Sequence, residues 1–86
     1  MALQEYFGDT CPHCVKMHPI VTKLEQELGL TVEKYEVWNN EENAKKLAIV
    51  DQGLCGGVPF FYNTDTKKFI CGGRGEDDLR AWMKGE

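Results

Sequence analysis

Apolar residues open the chain in a short run, Ala2 to Phe7, which reads as a strand. The period then changes: Cys14, Met17, Val21, Leu24 and Leu28 step by three and four residues and lay one stripe along a helix. Pro12 suits the first helical position, where its missing N–H would be unpaired in any case, and Gly29 can end the helix. Pro19 falls inside it, removes one backbone bond and predicts a bend near residues 15 to 19. From Thr31 to Trp38 a second strand is expected, with Val32, Tyr35, Val37 and Trp38 as its hydrophobic members and charges that suit a sheet edge. Asn39 followed by Glu42 resembles a capping pair, and Ala44, Leu47 and Ala48 form the buried side of a second helix that ends near Gly53.

The glycine-rich stretch Leu54 to Val58 reads as a loop, and Pro59 opens a third strand, Phe60 to Tyr62. A turn through Asn63 to Thr66 leads into a fourth strand, Lys67 to Cys71. If that hairpin is symmetric about Thr64 and Asp65, Cys71 lies close to Val58 and to the Cys55 loop. After Gly72-Gly73-Arg74-Gly75, the acidic run Glu76-Asp77-Asp78 starts a last helix whose Leu79, Trp82 and Met83 face inward. The order is βαβαββα. A helix between the first two strands makes them parallel by a right-handed crossover, and the short third connection makes a hairpin. The fold class is α/β, with a four-stranded mixed sheet and three helices, and no repeat or linker divides the chain.

Eighty-six residues, 42% hydrophobic and 28% charged, provide for one modest core and a single domain over 1–86. A net charge of −4 with scattered basic residues excludes a nucleic-acid partner. No apolar stretch approaches the roughly 18 to 20 residues that span a bilayer, and no basic segment with an apolar signal core opens the chain. No membrane association is expected, and the location expected is cytoplasmic. Four cysteines admit a disulfide scaffold, but that reading wants a secreted context and a chain too poor in apolar residues to fold unaided.

Cys11-Pro12-His13-Cys14 stands where the first strand runs into the first helix. There the unpaired N–H groups and positive dipole end of the helix stabilise a thiolate, the species that attacks disulfides. The bland alternatives are two structural thiols or half of a zinc site, which would want a second close ligand pair, whereas Cys55 and Cys71 are sixteen residues apart. The redox reading makes Cys11 the exposed nucleophile and Cys14 the resolving thiol one turn inward. His13, between them, would stabilise the Cys11 thiolate and make the disulfide more oxidising. His18 is expected to be structural, and Lys16 either adds positive potential or is simply solvated.

Glu5 is expected to be a partly exposed strand-end glutamate, because burying a carboxylate without a partner is costly. Cys55 and Cys71 are open between a second disulfide, a glutathionylated thiol and inert residues. Inert is the default for Cys71, whereas Cys55 in its glycine loop is a candidate for reactivity. Gly72 to Asp78 is a candidate anion site, with backbone N–H groups for a carboxylate and Asp77 or Asp78 for an amine; the same residues also serve as an ordinary acidic helix start. Arg74 could contact a substrate carboxylate.

Three features coincide: the dithiol at a strand-to-helix junction, Pro19 eight residues after Cys11, and Gly57-Val58-Pro59 opening a hairpin strand. Together they resemble the thioredoxin superfamily over essentially the whole chain. The absence of a preceding strand and helix makes the minimal glutaredoxin-like form of the thioredoxin fold the closer match. Gly72-Gly73 ahead of Asp77-Asp78 is similar to the glutaredoxin pattern. Departures are Gly8-Asp9-Thr10 where glutaredoxins usually carry a lysine, and Pro-His where they carry Pro-Tyr. Thr10 stands where thioredoxins have tryptophan. Pro-His is the dipeptide of DsbA-type periplasmic oxidants, but those are larger, secreted proteins.

The resemblance implies a thiol-disulfide oxidoreductase in electron transport and cell redox homeostasis, with no bound cofactor or metal. Glutathione is the implied co-substrate, or else a thioredoxin-reductase-type flavoprotein is the electron donor, and disulfide-containing proteins are the substrates of a monomer. It implies catalytic Cys11, Cys14 and His13, and substrate contacts at Pro12, Val58, Pro59, Gly72, Gly73, Asp77 and Asp78. A cis bond before Pro59 is implied too, with the Val58 backbone offered to an extended substrate. Thioredoxins also place a buried acid at the Glu5 offset, where it takes the proton of the resolving cysteine. The alternatives are a thioredoxin-like protein disulfide reductase and a metal or iron-sulfur binding module.

Overall fold

Strands form where apolar and aromatic residues must be shared between two faces, and helices where the apolar step is three to four. The computed structural model describes residues 2–86. Its elements are β1 (Leu3–Phe7), α1 (Pro12–Leu28), β2 (Val32–Glu36), α2 (Glu41–Asp51), β3 (Phe60–Asn63), β4 (Phe69–Cys71) and α3 (Glu76–Lys84). The sheet order is β2-β1-β3-β4. β1 and β2 are parallel, from Leu3 opposite Val32 to Phe7 opposite Glu36, and β3 is antiparallel to both β1 and β4. This is the expected α/β architecture.

Alternation along the strands sorts the core into two layers. Leu3, Val32 and Phe61 face α1 and α3, and pack with Met17, Val21, Leu24, Leu79, Trp82 and Met83. Phe61 and Trp82 meet edge to face, centroids 5.5 Å apart. Tyr6, Val37 and Phe60 face the other way, onto Ala44, Leu47 and Val50 of α2. Each fully buried side chain of this size contributes about 1.5–3 kcal/mol. β1 is central, so Leu3 to Tyr6 are buried on both faces.

Several boundaries differ from the sequence expectation. β2 ends at Glu36, whose carboxylate accepts N–H bonds from Asp9 (3.0 Å), Trp38 (3.0 Å) and Asn39 (2.7 Å) and turns the chain out of the sheet. Trp38 is consequently 53% exposed rather than a strand member. The cap of α2 is Asn40, whose side chain accepts from Asn43 N (3.1 Å), not the pair Asn39 and Glu42. Val50, not Ala48, completes the buried side of that helix, since Ala48 is exposed.

β4 is shorter than expected, and Phe60 rather than Val58 faces Cys71. The cause is the turn: Asn63 Oδ1 accepts from Asp65 N (3.0 Å) and Thr66 N (3.3 Å), and Lys67 adopts a left-handed φ of 61°. The slip is two residues, so every side chain keeps its face. α1 runs on through Pro19 to Gly29, which caps it in the left-handed region. Arg80 of α3 ties α1 through Glu27 (2.6 Å), and Lys23 reaches Glu76 (2.9 Å). Among the described residues no helix is long and apolar enough to cross a membrane.

Candidate active site

The carboxyl end of β1 delivers the chain to the start of α1, the end of an α/β sheet at which ligands bind. Gly8 makes the turn, and a Cβ there would fall into the Trp38 indole. Gly8 O accepts from Cys11 N (3.1 Å), and Cys11, in extended conformation, becomes the N-cap of α1 with Pro12 at its first turn. The cap is made by sulfur: Cys11 Sγ accepts from Cys14 N at 3.2 Å, while Cys11 O accepts from Val15 N at 3.0 Å. One otherwise orphaned N–H thus points at the nucleophile, and no acidic residue in the first turn of α1 opposes its charge.

Cys11 and Cys14 form a disulfide with Cα atoms 5.2 Å apart. Cys11 is 4% exposed and Cys14 3%, so in this oxidised form the expected exposed nucleophile is as buried as its partner. Pro12 and His13 are the exposed members of the motif. A hollow of about 420 Å³ beside Cys14 is lined by Phe7, Gly8, Asp9, Val15, His18 and Pro19. Val15 and His18 are exposed at its edge, as is Lys16 nearby on α1.

The Val58–Pro59 peptide is cis, as the resemblance implied. The ladder of β3 begins at Phe60, so the Val58 backbone is not taken up by the sheet. Gly72 N donates to Pro59 O at 2.8 Å, and a Cβ on Gly73 would lie 3.8 Å from His13 Nδ1. The Gly72-Gly73 turn therefore meets the dithiol helix. Asp77 does not join it: its carboxylate pairs with Arg80 (3.0 Å), one turn along α3. Asp78 points elsewhere again, lining an open hollow of about 520 Å³ with Lys67, Lys68, Arg74 and Trp82. The expected anion site is thus divided between two places.

Glu5 is 2% exposed, which corrects the expectation of a strand-end glutamate. It lies between Lys34 and Phe61 in the sheet, on the face of β1 shared with Phe7, and its Oε1 has no hydrogen-bond partner. Burial pushes its carboxyl up to about 7; Lys34 pulls it back and Glu25 adds to the rise. Lys34 is shared with Glu25, whose two oxygens accept from its ammonium at 3.1 and 3.0 Å.

One feature near the site lay beyond the sequence reading, and one alternative that reading left open, a second disulfide, is what forms. Asp51, 7% exposed, accepts N–H bonds from Cys55 (2.6 Å) and Gly56 (2.8 Å) and shapes the loop before Pro59. An aspartate four residues ahead of Cys55-Gly56-Gly57 was the available signal, since its side chain readily holds turn N–H groups. Cys71, by default inert, is bonded to Cys55 with Cα atoms 5.4 Å apart, so all four cysteines are paired. Among the described residues no group of three or more His, Cys, Asp or Glu side chains is placed to hold a metal ion.

A mixed four-stranded sheet, a vicinal cysteine pair capping the first helix and a cis-proline at the adjacent strand define a thioredoxin-type redox domain. The thioredoxin family model matches residues 1–85, and the chain belongs to the thioredoxin family. A search of curated proteins returns no match. A domain of this family with a vicinal cysteine pair carries the equipment of a thiol-disulfide oxidoreductase.

Proposed function

We propose that the protein exchanges disulfides with other proteins through Cys11. The observation that carries this reading is the sulfur cap: a backbone N–H at the positive end of α1 is directed at Cys11 Sγ. A donor so placed stabilises thiolate. The Cys11 thiolate attacks a substrate disulfide, one substrate sulfur leaves as thiolate and takes a proton, and a mixed disulfide forms. Cys14 gives up its proton and attacks Cys11 Sγ, which expels the reduced substrate and leaves Cys11–Cys14 oxidised. His13 supports the Cys11 thiolate from the exposed side of the motif, and Pro12, Val58, Pro59, Gly72 and Gly73 form the substrate groove.

Glu5 favours the thioredoxin-like form of this chemistry. A buried carboxyl held near 7 is suited to taking the Cys14 proton around neutrality. In that form a flavoprotein reductase regenerates the dithiol. The glutaredoxin-like reading, with glutathione as co-substrate, rests on Arg74 and Asp78, which meet at one hollow and offer a cation and an anion to a small zwitterion. The protein is taken to act as a cytoplasmic monomer with no bound cofactor.

The test is a pair of variants. Cys11→Ser loses reduction of a protein disulfide, while Cys14→Ser accumulates a mixed disulfide visible by mass spectrometry. Full turnover by Cys11→Ser would overturn the reading. Offering oxidised protein to reduced glutathione and to a thioredoxin reductase separately identifies the donor.

A further inference from the structure

We propose that Cys55–Cys71 is a second redox site, opened and closed by soluble dithiols, that controls how firmly the Val58 segment is held. The inference rests on the reading above, in which substrate lies along Val58 beside the dithiol.

The bond joins a loop to a strand end. Cys55 lies between α2 and β3, and Cys71 is the last residue of β4, opposite Phe60. One residue past Cys71, Gly72 N holds the Pro59 carbonyl; one further, Gly73 meets His13 of the dithiol motif. On the other side Cys55 leads through Gly56 and Gly57 to Val58. Cys55 and Val58 also pack against the same buried cluster of Tyr6, Val37 and Phe60. Both ends of this disulfide therefore reach the groove within three residues.

Beyond that packing, few contacts restrain the loop. Residues 52 to 58 pair with no strand, and Gly53 and Gly56 sit at left-handed φ of 81° and 79°. Besides the disulfide, the Asp51 bonds to Leu54, Cys55 and Gly56 are its anchors. Opening the bond removes the covalent one and leaves a glycine-rich segment held by the Asp51 bonds at its start and by the packing of Cys55 and Val58 on the Tyr6 cluster.

Access sets how readily a thiol reaches each bond, and electrostatics sets which opens first at equilibrium. Cys55 and Cys71 are both partly exposed, whereas Cys11 and Cys14 are 4% and 3% exposed, so an external thiol has a direct approach to the second bond. Cys11 has a helix N–H to stabilise its thiolate. Cys55 has the Asp51 carboxylate on its own N–H, which disfavours one. Reduced Cys55 and Cys71 gain less, and this pair is the more reducing of the two. In the opening step a dithiol thiolate attacks one of the two sulfurs, the Cys55–Cys71 bond breaks and the released sulfur takes a proton. The reductant's second thiol then displaces the first, so that the reductant ends as a disulfide and Cys55 and Cys71 as two thiols. Two electrons and two protons have moved.

The experiment titrates oxidised wild-type protein with graded mixtures of reduced and oxidised dithiothreitol. Alkylation with peptide mapping reads each pair, and amide hydrogen exchange reads residues 52–58 and 72–73 in the same samples. Two transitions are expected, Cys55–Cys71 at the more reducing poise, with faster exchange in those segments at the second transition and continued protection of β1. The Cys55→Ser/Cys71→Ser variant should raise KM for a protein disulfide several-fold at little change in kcat. The proposal is overturned if Cys55–Cys71 opens only as β1 loses protection, if it opens with no change in exchange at 52–58, or if the variant leaves KM unaltered. Mapping and exchange are also read in Cys11→Ser. Loss of wild-type turnover would therefore strike the exchange reading and leave these measurements to judge this one.

Discussion

Cys11–Cys14 and Cys55–Cys71 span nearly the same distance, 5.2 and 5.4 Å between Cα atoms, yet their surroundings assign them different work. The first closes across three residues at a helix start, and its nucleophilic sulfur accepts a backbone N–H. The second closes across sixteen, from a loop to a strand end. Chain entropy removed from the unfolded state grows with the loop closed, so the second bond contributes about 3 kcal/mol to the fold and the first roughly half of that. Reactivity is set by what faces the sulfur and stability by how much chain the bond encloses. The two need not coincide.

Separating those roles by mutation gives the largest effects. Cys11→Ser should bring disulfide turnover to background at the smaller stability cost, roughly 1.5–2 kcal/mol. Cys55→Ala/Cys71→Ala should do the reverse, losing about 3 kcal/mol of stability while keeping Cys11-dependent turnover. Equilibrium urea unfolding of both variants in the oxidised state checks this. A double variant as stable as wild type would mean that the reduced, unfolded chain is already compact in this region.

Much of this contrast was legible before any coordinates. The dithiol, the stripe of α1 and the Val58-Pro59 strand start are local patterns, and local patterns survive folding. What failed was long-range. Glu5 read as a strand-end residue because burying an unpartnered carboxylate is costly, and that cost is overridden where the order β2-β1-β3-β4 makes β1 central. The pairing of Cys55 with Cys71 hung on hairpin register and on a loop that Asp51 shapes from the preceding helix. Trp38 over Gly8 joins segments thirty residues apart, and nothing in either segment announces the other.

Each region holds a buried acid, one with an unpartnered oxygen and one bonded through both. Glu5 lacks a partner on Oε1 and its carboxyl sits near 7; below pH 4.5 it is neutral in both folded and unfolded chains. As pH rises from 4.5 through 7 the unfolded chain ionises first, so stability present at low pH is lost, by on the order of 3 kcal/mol. Glu27, Glu36 and Glu76, held below the usual range by their hydrogen bonds, give the opposite slope at lower pH. The difference between wild type and Glu5→Gln isolates the Glu5 contribution. Urea midpoints of the two should diverge between pH 4.5 and 8, and parallel curves would contradict the raised value. Asp51 instead accepts two N–H bonds, so Asp51→Ala should cost about 2 kcal/mol by leaving those donors unpaired. It should also speed hydrogen exchange at Cys55 and Gly56.

The smallest effect expected is at Gly8→Ala, and it acts on one side only. A Cβ at Gly8 enters the Trp38 ring, but Trp38 is 53% exposed and has solvent to swing into. The cost should fall at the low end of overpacking, about 1 kcal/mol. Because Gly8 O also holds Cys11 N, the displacement should reach the Cys11 cap and alter its alkylation rate after reduction, while the opening of Cys55–Cys71 stays at the wild-type poise. Trp82 is buried at 3% exposure, so a change in tryptophan emission reports Trp38. Adding Trp38→Ala should relieve the clash, making the double variant more stable than the two single losses predict. Additive losses would mean that Gly8 is required by its backbone and not by the indole above it.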